Sequence, residues 1–124
     1  MARSNRRRIL RELRGQAWEA ELGEALRPIA ALFDAWRRGE ASAFDLSDAI
    51  HRFHDGDSRE IWEKYQWRDT EMLLAAALED GYLRRDQVPD DVYAYLLPHL
   101  EQLRASRARW KRREESAPEE DQEA

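Results

Sequence analysis

Between His51 and Tyr65 the chain reads HRFHDGDSREIWEKY, the stretch whose residue types have the widest chemical reach. His51 and His54 stand three apart, which on a helix places two imidazoles on neighbouring surface. Asp48 precedes them by one turn, and Asp55 and Asp57 follow. A first-row metal accepts imidazole nitrogen and carboxylate oxygen together, so Asp48, His51, His54 and Asp55 make a candidate ligand set. The same block has a structural use. Gly56 suits the end of one helix, Asp57 suits the N-cap of the next, and Glu60 three residues later completes a capping-box pattern. On that reading His54 sits near a helix C-terminus, where a cation is favoured. A third use is recognition: Arg59, Trp62 and Arg68 beside these acids form a candidate polar groove for a partner.

The adjacent pair His54-Asp55 resembles the helix-borne pair of the HD-type metal phosphohydrolases, which are also all-helical. The resemblance covers those two residues and implies a metal-dependent enzyme acting on a phosphoester. The chain departs from the family's pattern in one respect: no histidine precedes position 51, so the separate upstream ligand is missing. His99, which follows Pro98, reads as a half-buried or surface residue. Calcium fails on spacing. A loop counted from Asp55 has Arg59 at its fifth position, Glu60 where glycine is needed at the sixth, and Gln66 in place of the closing glutamate. No glycine-rich phosphate loop is present, and the absence of cysteine excludes disulfides, thiolate metal sites and a cysteine nucleophile.

With 124 residues, 42% of them hydrophobic, the chain has the length and apolar content of one domain. No apolar run approaches the ~20 residues a membrane helix requires, or the ~7 to 15 of a secretory signal, so the expectation is a soluble, unprocessed protein of the reducing cytoplasm with no cofactor. The net charge of −5 conceals segregation. Residues 1–14 carry six arginines against Glu12, and Arg104, Arg107, Arg109, Lys111, Arg112 and Arg113 form a second basic run. Residues 15–103 hold nine basic and nineteen acidic side chains, and residues 114–124 add six acids with Pro118. The sequence therefore predicts a helical domain over 1–113, whose residues 1–14 are a basic helix end, followed by a disordered acidic tail over 114–124. The basic arm suits non-specific phosphate contacts, although a chain this acidic lacks the basic signature of a nucleic-acid-binding domain.

Helical spacing runs through the body. Trp18, Leu22, Leu26, Ile29, Phe33 and Trp36 recur at three- or four-residue steps. Pro28 predicts a break or a kink, giving helices over roughly 4–26 and 28–38. Gly39 fits a left-handed C-terminal cap and Ser42 an N-cap, with Asp45 three residues on. Further helices follow from Asp57, from Asp69 or Thr70 to Gly81, and from Pro89 to a fading end near Trp110. The expected fold is all-α: a single-domain bundle of five or six short helices.

Five tryptophans exceed what the core of so small a domain needs, and Trp and Arg are enriched at interface hot spots. Trp67, at a helix end beside Arg68, and Trp110, in the basic run, are the leading candidates for exposure. Together with Arg59 and Trp62 they point to a non-catalytic interaction or regulatory protein that binds a protein partner or a second copy of itself.

Overall fold

The computed structural model describes residues 2–117. Its helices are α1 (Ala2–Arg37), α2 (Ala43–Phe53), α3 (Arg59–Trp67), α4 (Thr70–Asp80) and α5 (Asp90–Ser116), with a π-helical turn at His54–Ser58 and a 3-10 turn at Arg85–Gln87. No strand occurs among the described residues, so the all-α class holds. The π turn joins α2 to α3 without a break, which leaves four helical rods in place of the five or six expected. No helix among the described residues is long and apolar enough to cross a membrane.

Three boundaries differ from the sequence reading. Pro28 lies inside α1, which runs unbroken from Ala2 to Arg37. The helix expected to fade near Trp110 continues to Ser116, so Glu114 and Glu115 of the expected tail are helical. The rest of that tail, residues 118–124, lies outside the described residues. The third difference falls on the histidine block. Phe53, His54, Ser58 and Arg59 all keep right-handed helical angles, and Gly56 is absent from the two glycines with positive φ. The chain absorbs Gly56 and Asp57 in a widened turn, so Gly56 is no C-terminal cap and Asp57 caps nothing.

The remaining joints follow local chemistry. Gly39 (φ 75°) ends α1, its amide reaching Trp36 O at 3.0 Å while Glu40 N reaches Ala35 O at 2.9 Å, the paired bonds of a Schellman motif. Ser42 and Asp45 exchange side-chain and backbone hydrogen bonds at 3.0 and 3.3 Å, a complete capping box that starts α2. Gly81 (φ 87°) ends α4.

These joints set the packing. The short turn after α1 returns the α2–α3 rod antiparallel along it, so Tyr65 stacks on Trp18 with ring centroids 5.5 Å apart. Three side-chain pairs tie α4 to α5 in ascending order: Tyr95 with Glu71 at 3.2 Å, Arg104 with Glu79 at 2.8 Å and Arg107 with Asp80 at 2.7 Å. These two helices therefore run parallel, and the segment 81–89 crosses back between them, burying Leu83 and Val88. The core lies against the first half of α1, where Leu10, Leu13 and Ala17 meet Ile61, Leu73, Leu74, Ala77, Val92 and Leu96. The stripe read from Trp18 to Trp36 is only half-covered. Beyond Leu22 it has the α2–α3 rod on one side and, among the described residues, no second layer, so Leu26 and Trp36 are exposed.

Candidate interaction cleft

The π turn shifts the helical register by a fraction of a turn and so decides which α3 residues face α1. Ile61 and Tyr65 point inward and are buried, Tyr65 at 1% exposure. Tyr65 Oη donates to Glu21 Oε1 at 2.9 Å, and Lys64 Nζ donates to Glu21 Oε2. The Glu21 side chain is 12% exposed, so its charge is compensated by these two donors with little help from water. Burial, and then the hydrogen bond and charge of Glu21, push the Tyr65 hydroxyl well above its ordinary pKa. Burial followed by the charge of Glu21 also raises Tyr82. Both phenols therefore stay protonated across the neutral range, and Tyr65 acts as a fixed donor.

Over this triad opens a cleft of about 700 Å³ between α1, α3 and Tyr82. Ala25 and Ile61 line its apolar part, Trp67 and Tyr82 give it aromatic walls, and Asp57, Glu60 and Glu63 set an acidic rim that Arg68 partly offsets. A smaller recess of about 340 Å³ lies on another face of the rod, lined by His54, Asp55, Ser58, Arg59 and Trp62. The residues anticipated for recognition are thus divided. Trp67 and Arg68 belong to the cleft. Arg59 and Trp62 belong to the recess, with Arg59 Nε on Glu63 Oε1 at 3.4 Å. Trp110 stands on the far part of α5, its indole nitrogen donating to Glu114 Oε1 at 2.9 Å. Trp67, Trp62 and Trp110 are 81%, 52% and 62% exposed.

The candidate metal ligands Asp48, His51, His54 and Asp55 are all exposed on the α2 end of the rod. His54 Nδ1 lies 3.3 Å from Asp55 Oδ1. No three His, Asp or Glu side chains converge as a ligand set among the described residues. In the basic arm, Arg6 stacks over the Tyr95 ring at 4.4 Å and Arg8 pairs with Glu12 at 3.8 Å.

Sequence reading missed Glu21, Lys64 and Tyr82. Glu21 had a legible signal, since it falls four residues after Ala17 on the stripe begun by Leu10 and Leu13, where an acid must find donors. Tyr82 had none, because the return of the segment after α4 decides its position. Comparison with protein-family models, with curated proteins and with solved structures gives no match.

Proposed function

We propose that this chain is a small, non-catalytic interaction or regulatory protein that acts in the cytoplasm through its helical surface, with the Trp67 cleft as the principal contact. The observation that carries the reading is the exposure of Trp67 beside a concave, charged surface that also presents Ala25, Ile61 and Tyr82. Burying a tryptophan there removes ~150 to 250 Å² from water, enough for a hot spot, and the acidic rim supplies orientation. Cysteine-free composition fits a reducing compartment.

A second reading, charge-only binding of nucleic acid through Arg6, Arg7, Arg8, Arg11 and Arg14 of the N-terminal arm, differs in its salt dependence. The test immobilises the full chain, wild type and Trp67→Ala with Trp110→Ala, and compares the proteins and nucleic acid retained from host extract at about 50 and 200 mM salt. The expected outcome is a defined set of proteins that survives the higher salt and disappears with the tryptophans. Retention that ignores both substitutions and collapses with salt overturns the interaction reading in favour of the arginine arm.

A further inference from the structure

The partner chemistry of the cleft can be taken one step further, resting on the reading above. We infer that the occupant is a second copy of this chain, docked so that the α5 end of each copy lies in the cleft of the other.

The first ground is an apolar seam that leaves the fold. Val92, Leu96, Leu100 and Leu103 recur at three- and four-residue steps on the inner face of α5, and Trp110, seven residues after Leu103, continues that face. What covers the seam within the monomer is α4, which stops at Asp80, clasped there by Arg107 through bonds of 2.7 and 3.1 Å. From Arg107 to Ser116 the helix runs on for about 14 Å at 1.5 Å per residue. Every residue of that arm is exposed. Position 107 on this face is the arginine that clasps Asp80, so what the face carries past α4, among the described residues, is the single exposed tryptophan.

The second ground is charge. Arg109, Lys111, Arg112 and Arg113 make no ion pair among the described residues, and Glu114 and Glu115 follow them, Glu114 holding the indole of Trp110. On the cleft rim, Asp57 and Glu60 are likewise unpaired among the described residues, while Glu63 is shared with Arg59 and Lys64 is neutralised by Glu21. A basic arm carrying one large aromatic matches an acidic rim beside Ala25 and the aromatic walls of Trp67 and Tyr82.

The third ground is placement. Lys64, Arg68 and Tyr82 line the cleft and also the small cavity that Leu103 and Arg107 close, so the arm is rooted beside the cleft. As a helix clasped at Arg107, the arm cannot bend back into its neighbouring cleft. A two-fold axis between arm and cleft lets each copy donate one arm and accept one, a closed isologous pair that exposes neither. Trp110 of one copy then covers Ala25 and Ile61 of the other and packs on its Trp67.

Sedimentation of the full chain tests this directly. Wild type is expected to form a species of twice the 14.7 kDa monomer mass, its share rising with concentration. Trp110→Ala is expected to weaken association about tenfold or more. Reversing the arm (Arg109→Glu with Arg113→Glu) or the rim (Glu60→Lys with Glu63→Lys) is expected to give monomers with helical signal retained. Mixing the two reversed proteins restores dimers, because each arm again meets a cleft of opposite sign. A wild type that stays monomeric up to about 100 µM, or a mixture that stays monomeric, overturns the inference. If the wild type is monomeric while tryptophan-dependent capture from extract persists, self-docking fails and the interaction reading stands. If mixing rescues dimers while capture ignores the tryptophans, self-docking stands and the use of the cleft for other proteins fails.

Discussion

Replacing Tyr65 by Phe isolates one bond at the base of the cleft. The ring is retained, so its stacking on Trp18, with planes 3° apart, is preserved and no cavity forms. What goes is the hydroxyl that donates to Glu21 at 2.9 Å. A hydrogen bond to a charged group contributes ~1.5 to 3 kcal/mol, and a carboxylate 12% exposed recovers only part of that from water. The expected loss is therefore about 2 kcal/mol, which for a chain of this length lowers Tm by roughly 8 °C. Urea unfolding followed by circular dichroism reads it as a lower midpoint with an unchanged slope. Lys64→Met and the double variant complete a cycle, and because both residues serve the same carboxylate their effects should be non-additive by ~0.5 kcal/mol or more.

The same bond has a pH signature. The hydroxyl's pKa is raised in the fold, by burial first and by Glu21 second, so the protonated phenol is what the fold stabilises. That contribution is fully present below the ordinary tyrosine value near 10 and is lost as pH rises from there toward the folded pKa. Wild-type stability should accordingly fall faster than that of Tyr65→Phe above pH ~10, and the gap between them should narrow. A Tyr65→Phe protein within ~0.5 kcal/mol of wild type at neutral pH, with a parallel alkaline profile, would refute the claim that Glu21 depends on this donor.

The glycines give a test of opposite signs: Gly81→Ala, at φ 87°, should cost on the order of 1 kcal/mol, whereas Gly56→Ala, in the π turn with nothing within 4 Å of the added carbon, should be neutral or stabilising by ~0.4 to 1 kcal/mol. Chemical denaturation of the two variants checks this, and a destabilised Gly56→Ala would restore Gly56 as a helix terminator. Deleting residues 118–124 removes Glu119, Glu120, Asp121 and Glu123 and changes the formal charge from −5 to −1. With Pro118 and no large apolar side chain in that segment, Tm should be unchanged in a thermal scan, and a clear fall would show that it contributes to the fold.

Local signals in the sequence translated well where one residue decides the outcome. Gly39, Ser42 with Asp45, and Gly81 all act where their chemistry placed them, because a left-handed cap or a capping box is settled within one turn of chain. The block around Gly56 carried equally clear local marks and went the other way. There the contest is between a break, which exposes backbone groups at two new helix ends, and a π turn, which keeps most of them bonded while leaving Ile61 and Tyr65 facing α1. Burial of those two side chains against Leu10, Leu13 and Ala17 is non-local and tips the balance toward continuity.

The cleft was half legible for the same reason. Trp67 and Arg68 could be nominated from type and position, since a large aromatic at a helix end with polar neighbours has few ways to be buried. Their separation from Arg59 and Trp62 could not, because it depends on the register that the π turn sets. Nor could the arm: the seam from Val92 to Leu103 reads as core at every step, and Trp110 extends it in register. Only the end of α4 at Asp80 turns that last position outward. The exposure of Trp110 is therefore a consequence of unequal helix lengths. A tryptophan carried past its cover must remain wet or be covered from outside, and a second copy docked as proposed would supply both a surface for it and acids for the basic residues around it.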